Sequence, residues 1–166
     1  IGNLGYDDEW KNIKELAVGA HHIIGLKKDG KILSVGSNKY KQCNIKSWEN
    51  IKTISANGNH TVGLKNDGTV VAVGNNEYGQ CNLKKWKDIV LISAGGNHTV
   101  GLKKNGEVLA VGNNEDGQCN VENWKDIVFI AAGYYHTVGL KSDGTVVATG
   151  NNEYGQCNVE NWKLCE

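Results

Sequence analysis

The sequence predicts an all-β fold, in which four similar units of 38 residues each form one blade of a β-propeller. Three observations support this prediction: a repeat at fixed spacing, short apolar runs separated by Asp-Gly or Asn-Gly dipeptides, and no amphipathic helical pattern. The residues that recur every 38 positions are His22, His60, His98 and His136, then Cys43, Cys81, Cys119 and Cys157, and also Trp10, Trp48, Trp86, Trp124 and Trp162. A period of this size is typical of solenoids and propellers.

One unit, residues 89–126, shows the elements in order. The run IVLISAG is short and rich in β-branched residues, which predicts a first strand. HTVGLKK and EVLAVG predict a second and a third strand. Asn105–Gly106 between them predicts a tight hairpin in which both turn residues have positive φ. Three antiparallel strands followed by a longer loop fit a propeller blade better than a parallel β-helix, whose coils need no such hairpin.

The second strands carry a recurring glycine. Gly63, Gly101 and Gly139 occupy the same place in successive units. Glycine weakens a strand, so its regular return predicts a close approach of backbones between neighbouring blades.

The chain is predicted to be a single repeat domain over residues 1–166. Its units cover residues 13–50, 51–88, 89–126 and 127–164, and residues 1–12 form an overhang equivalent to 153–164. Four three-stranded blades are not expected to close a ring alone. Two arrangements stay open: a piece of a longer propeller, or two chains that meet head to tail and close an eight-bladed ring as a homodimer. The ending NWKLCE, where NWKDIV would begin another blade, favours a genuine C-terminus and therefore the homodimer.

The charge composition argues against two classes of partner. Basic and acidic residues balance at 18 each, and every cation is lysine. Without arginine the chain lacks the usual forks for phosphates and base edges, so no nucleic acid partner is predicted. Apolar runs fall short of the ~20 residues that cross a membrane, so no membrane partner is predicted either.

The repeated histidines and cysteines do not predict a catalytic or metal site. One histidine per blade supplies a single ligand where zinc needs three or four, so we expect structural histidines bonded to backbone groups at a blade corner. The cysteines are expected to fill space as free thiols, with Cys165 outside the repeat and open to oxidation or an intermolecular bridge. NNEDGQ lacks the alternating acidic ligands of a calcium loop. No cofactor and no enzyme activity are predicted.

The tyrosines of the long loops are the candidate binding residues. Tyr40, Tyr78 and Tyr154 share one position, and Asp116 takes their place in the third unit. Positions that differ between similar blades are free to determine specificity, and tyrosine is favoured at protein interfaces. An alternative stays open, in which tyrosine only packs its own loop against the Asn-rich turn. The predicted partner-binding residues are Tyr40, Tyr78, Asp116, Tyr134, Tyr135 and Tyr154.

The stretch AAGYYHTVGLKSDGTVVATGNNEYGQCN resembles the repeat of the regulator of chromosome condensation family. The shared pattern is Ala-Gly-Gly-x-His-Thr, Leu-x-x-Asp-Gly-x-Val and Gly-x-Asn-x-x-Gly-Gln, and the resemblance extends from Ile13 to Asn158. The first unit diverges most, with Ile23 in place of threonine and Lys41 in place of glycine. The resemblance implies the family's seven-bladed propeller. It also implies kinship with compact bacterial members, including a secreted propeller that inhibits β-lactamase.

The family's eukaryotic founder acts as an exchange factor for the GTPase Ran through an inserted wedge, for which units of 38 residues have no room. We therefore expect a non-catalytic scaffold that binds a protein partner through its loops. The alternatives are a purely structural self-assembling module and an inhibitor of a secreted enzyme such as a β-lactamase.

Overall fold

The computed structural model describes residues 10–163 and shows an all-β fold of four blades. Each blade is a three-stranded antiparallel sheet whose strands pair in chain order. Blade 1 contains β1 (Ile13–Val18), β2 (His22–Lys27) and β3 (Ile32–Gly36); blade 2 contains β4 (Ile51–Asn57), β5 (His60–Lys65) and β6 (Val70–Gly74); blade 3 contains β7 (Ile89–Ala94), β8 (His98–Lys103) and β9 (Val108–Gly112); blade 4 contains β10 (Ile127–Ala132), β11 (His136–Lys141) and β12 (Val146–Gly150). The predicted fold class and strand count are thus confirmed. Most of the overhang and Cys165 lie outside the described residues.

The hairpin between the second and third strands differs from the prediction. Gly30 N donates to Lys27 O at 3.0 Å, and Lys27 N donates to Lys31 O at 2.8 Å. Gly30 has a φ of +85°, whereas Asp29 does not share the positive φ. The loop is therefore a type I turn closed by a left-handed glycine, and not the two-residue turn with two positive φ angles. Asp29 Oδ1 accepts a hydrogen bond from Lys31 N at 3.0 Å. This bond stabilises the turn while the backbone of Asp29 keeps a negative φ.

The blades stack so that their first strands lie side by side. β1 contacts β4, β4 contacts β7 and β7 contacts β10, while the second strand of each of the first three blades contacts the first strand of the next. The apolar core consequently lies in layers between blades. In the first layer Ile24 and Leu26 of blade 1 are buried against Ile54 of blade 2, and Val71 and Val73 pack at its edge. Each such buried aliphatic side chain contributes roughly 1.5–3 kcal/mol.

The glycines of the second strands make room for tryptophan rings, and not for a neighbouring backbone as predicted. A Cβ added to Gly101 would lie 2.5 Å from Cζ3 of Trp86, whose indole is buried. The same fit joins Trp10 to Gly25, Trp48 to Gly63 and Trp124 to Gly139. The tryptophan of each long loop therefore packs against the second strand of the next blade.

The blades have two distinct ends. At the first end, the amide that follows each third strand donates to the carbonyl that precedes the second strand; the pairs are Ser37 to His21, Asn75 to Asn59, Asn113 to Asn97 and Asn151 to Tyr135. We call this the tyrosine end; it comprises the first turns (residues 19–21, 57–59, 95–97 and 133–135) and the starts of the long loops (37–44, 75–82, 113–120 and 151–158). The other end is the hairpin end, which comprises residues 28–31, 66–69, 104–107 and 142–145 together with residues 12, 50, 88 and 126. A typical hydrogen bond at this end runs from Lys28 N to Asn12 O at 2.9 Å.

Candidate functional site

The start of each long loop is held by a network of side-chain amides. In blade 2, Asn76 Oδ1 accepts from Cys81 N at 2.8 Å and Asn76 Nδ2 donates to Asn82 Oδ1 at 3.0 Å. The buried Gln80 accepts from Tyr78 N through Oε1 at 3.0 Å. Equivalent bonds occur in the other three blades. The loop backbone is thus the same in all blades, and only its exposed side chains differ.

A left-handed residue turns each of these loops. Gly79, Gly117 and Gly155 have φ angles of +82°, +81° and +77°, as their sequence phase predicted. Lys41 adopts a φ of +67° at the same place in blade 1. A left-handed conformation costs a non-glycine residue about 1–2 kcal/mol, so blade 1 keeps the loop shape at some expense.

The loop tyrosines project from the tyrosine end. Tyr40, Tyr78 and Tyr154 are all exposed, and Tyr154 is the most open at 86%. Asp116, which replaces them in blade 3, accepts from Asn151 Nδ2 of blade 4 at 3.2 Å. The aspartate therefore bridges two blades, a contact that the sequence did not predict.

Tyr134 and Tyr135 form the first turn of blade 4. Their rings meet edge to face, with centroids 4.6 Å apart and planes at 64°. Gly96 N of blade 3 donates to Tyr134 O at 3.1 Å, and a Cβ on Gly96 would lie 2.5 Å from Cδ1 of the Tyr134 ring. Tyr134 thus packs on the neighbouring turn, while Tyr135 is half exposed and its ring contacts only that of Tyr134 among the ring pairs described.

The structure therefore places all six predicted binding residues at the tyrosine end. It brings Tyr134 and Tyr135 together and distributes the other four one per blade. Three exposed glutamates, which the sequence-based interpretation did not include, stand directly before the loop position: Glu77, Glu115 and Glu153. The first unit has Lys39 at the position of these glutamates, and this variation between units is the sequence signal that could have identified them. Partner binding by these residues stays a prediction.

Three of the histidines that recur every 38 residues bond a threonine of the next blade, which differs from the predicted bonds to backbone groups. Thr99 Oγ1 of blade 3 donates to Gln80 O of blade 2 at 2.8 Å and so uses its one proton. It must then accept from His60 Nε2 of blade 2, which lies 2.9 Å away. The histidine bonds a hydroxyl of the next blade, and not backbone groups at a blade corner. The same bridge joins His22, Thr61 and Gln42, and again His98, Thr137 and Gln118.

These histidines are neutral in the folded protein. Burial lowers the pKa of His60 and of His98 to about 4, and it lowers the pKa of His22 as well. Because Nε2 carries the proton, Nδ1 is a bare acceptor, and within residues 10–163 it has no hydrogen-bond partner in any of the three. A buried neutral imidazole that joins two blades is a structural group.

Two thiols of the repeat, those of Cys81 and Cys119, are poor nucleophiles. Burial raises the pKa of Cys81 to about 12 and that of Cys119 to about 11. Both sulfurs point at a backbone carbonyl, with Cys81 Sγ 3.3 Å from Asn75 O and Cys119 Sγ 3.3 Å from Asn113 O. The thiolate form that attacks substrates is therefore scarce at neutral pH.

Between residues 10 and 163, no three His, Cys, Asp or Glu side chains converge as a metal ion would require. Over the same residues, no helix has the length and apolar character to cross a membrane.

The four blades and their repeated loops define a propeller-repeat protein. Comparison with known families identifies which repeat family it belongs to. The model of the regulator of chromosome condensation (RCC1) repeat matches residues 13–42, 51–80, 89–118 and 127–156. The chain belongs to this family. No curated protein matches the sequence.

Solved structures share the fold at low sequence identity. Prp20p from Saccharomyces cerevisiae, described with its binding to Gsp1p and histones, is 23% identical, with a TM-score of 0.69 over 85% of this chain and 44% of its own. Human WBSCR16 is 19% identical, with a TM-score of 0.70 over 93% of this chain and 54% of its own. The ectodomain of the Arabidopsis thaliana receptor kinase ACR4 is 17% identical, with a TM-score of 0.66 over 83% and 50%. The chain thus spans about half the length of these structures.

Proposed function

We propose that this protein is a non-catalytic scaffold that binds a protein partner through the tyrosine end of its blades. The observation that carries the proposal is the contrast between a constant loop backbone and variable exposed side chains at that end. A loop backbone that is already ordered loses little conformational entropy on binding, and tyrosine has few rotamers to fix, so both features favour affinity. RCC1-type propeller repeats commonly serve in protein binding, and this agrees with the proposal.

Catalysis is not part of the proposed function. His60 and His98 are neutral and bonded across blades, and the thiols of Cys81 and Cys119 are protonated at neutral pH. A nucleophile with an adjacent base, as covalent catalysis requires, is not assembled from them in residues 10–163.

Site-specific photo-crosslinking in the native host tests the proposal. A benzophenone side chain replaces Tyr135 or Tyr154 in one set of variants and Ser142, exposed at the hairpin end of the same blade, in the control. We expect a discrete crosslinked partner from the first two positions and none from Ser142. Tyr135→Ala should then reduce the yield at Tyr154 without changing the melting temperature. Equal crosslinking from both ends, or none at the tyrosine end, would contradict the proposal.

Self-assembly is a second candidate, because the outer sheet faces of the first and last blades are apolar. On blade 1, Leu16 is 60% exposed and Val18 63%, whereas the equivalent Ile54 of blade 2 is buried against blade 1. On blade 4, Phe129 is 53% exposed. A head-to-tail homodimer would cover both faces. Light scattering over a wide range of concentration tests this candidate, and a constant mass near 18.0 kDa would exclude it.

A further inference from the structure

The tyrosine end of blades 2–4 carries negative charge that the neutral net charge of the chain conceals. Residues 75–82, 113–120 and 151–158 hold four carboxylates and no lysine. The four are Glu77, Glu115, Asp116 and Glu153, and all are exposed. The first turns of these blades, residues 57–59, 95–97 and 133–135, add no charged residue. The tyrosine end of blades 2–4 therefore exposes both carboxylates and tyrosine rings and carries a net negative charge.

Blade 1 shows how such a ring receives a cation. Lys39 Nζ lies 5.4 Å from the centroid of the Tyr40 ring. This is within the distance at which an ammonium is attracted by an aromatic face. In blades 2 and 4 the loop has the same backbone and the same tyrosine, but Glu77 and Glu153 replace the lysine. There the ring keeps an exposed surface and has a carboxylate, instead of an ammonium, as its neighbour in the chain.

We propose that the tyrosine end of blades 2–4 binds a lysine- or arginine-rich segment of a protein partner. The cationic side chains of that segment contact the rings of Tyr78 and Tyr154 as Lys39 contacts the ring of Tyr40. The inference rests on the proposed function and specifies the chemistry of the partner. The carboxylates attract the segment, and the rings together with Tyr134 and Tyr135 supply contact area. Charge complementarity of this kind increases association rates and selects against acidic partners.

The hairpin end of blades 2–4 also carries five carboxylates, but a lysine stands within four residues of each of them, whereas no lysine lies within six residues of the four carboxylates of the tyrosine end. The hairpin end is therefore charged with both signs. There Asp29 stands between Lys28 and Lys31, and Lys103 Nζ lies 2.8 Å from Glu107 Oε2. Opposite charges that alternate over a few residues cancel within a Debye length of about 8 Å. The hairpin end therefore provides a matched negative control on the same molecule.

Fluorescence anisotropy with a labelled peptide of repeating Lys-Gly units tests the proposal at low and at physiological ionic strength. Peptides of acetyl-lysine and Gly, and of Glu and Gly, are compared at the same length. The variant E77Q/E115Q/E153Q removes three carboxylates at the tyrosine end, and D67N/E107Q/D143N removes three at the hairpin end. We expect the first to weaken binding about fivefold or more at low salt and the second to change it less than about twofold, since exposed pairs each contribute little.

Tyrosine variants test the role of the rings. Y78A/Y154A should weaken binding of the Lys-Gly peptide about threefold or more, whereas Y78F/Y154F keeps the rings and should bind almost as well. Tyr40→Ala should change little, because Tyr40 lies outside blades 2–4 and its ring already has the Lys39 ammonium 5.4 Å from its centroid. Lys39→Glu should strengthen binding about twofold. Thermal melting of every variant distinguishes a loss of binding from a loss of folding.

Three results would overturn the inference: no binding of the Lys-Gly peptide, equal binding of the acetylated peptide, or an equal loss from the two triple variants. The photo-crosslinking experiment separates these results from failure of the proposed function. A partner crosslinked at Tyr154 together with no binding of the Lys-Gly peptide would leave the scaffold function standing and refute only the basic segment.

Discussion

At the scale of single residues, the buried histidines make the stability of the protein depend on pH. His60 and His98 each donate to a threonine of the next blade, and burial lowers their pKa from 6.5 to about 4. Between these values the unfolded chain binds protons that the folded chain does not. The free energy of unfolding should therefore fall as the pH drops from about 6.5 towards 4, by up to roughly 3 kcal/mol for each histidine, and these histidines should not change it above pH 6.5.

Urea unfolding between pH 8 and pH 4.5 measures this slope. His98→Gln provides the comparison, because its amide can still donate to Thr137 but does not titrate in this range. The variant should lose a clear share of the slope below pH 6.5. Equal slopes in the two proteins would mean that carboxylates, and not these histidines, determine the acid sensitivity.

At the scale of elements, the contact of a loop tryptophan with a strand glycine fixes each blade to the next. A methyl group on Gly101 meets the ring of Trp86, which is 6% exposed and cannot move aside. On Gly25 it meets Trp10, which is 37% exposed and free to shift outwards. Gly101→Ala should therefore cost about 2–3 kcal/mol of unfolding free energy and Gly25→Ala less than about 1 kcal/mol.

The two substitutions form a matched pair, since both place the methyl group at the same position of a second strand. Urea unfolding monitored by tryptophan fluorescence compares them directly. Similar losses in the two variants would show that strand geometry, and not the buried indole, explains the glycine.

The elements were predictable from sequence because their signals are local. Alternation within HTVGLKK and the dipeptide after it act over a few residues, and the repeat averages them over four copies. The partners between blades were less accessible, because they depend on how one sheet lies on the next. The bridge from His60 to Thr99 joins residues 39 apart, and only the replacement of that threonine by Ile23 in the first unit hints at it.

The candidate site was predictable in part for the same reason. Variation between units identified the loop tyrosines and Asp116, whereas the shared end of the blades follows from backbone bonds such as Asn151 N to Tyr135 O. The turn at Asp29 was mispredicted because a side-chain bond to Lys31 N selects a three-residue loop over a two-residue one.

At the scale of the whole molecule, the outer faces of blades 1 and 4 are not simple complements. Every junction inside the protein pairs a histidine with a threonine of the following blade, but blade 1 presents Ile23 at that position. A head-to-tail dimer with equivalent junctions would bury His136 against this isoleucine. It would also bring Trp162 to Gly25, where Trp10 already lies, so that one of the two indoles would have to leave.

Ile23→Thr therefore tests whether a dimer of this geometry forms. The new hydroxyl could accept from His136 and donate to the carbonyl of Gln156, as Thr99 does with His60 and Gln80. A satisfied buried bond contributes about 1 kcal/mol, and a ring of two chains contains two such junctions, so dimerisation should tighten about tenfold or more. Ile23→Val, which has the same shape as threonine without the hydroxyl, is the control. Sedimentation velocity over a dilution series gives both dissociation constants, and an equal response to valine and threonine would mean that the two faces do not meet through the junction found between the blades.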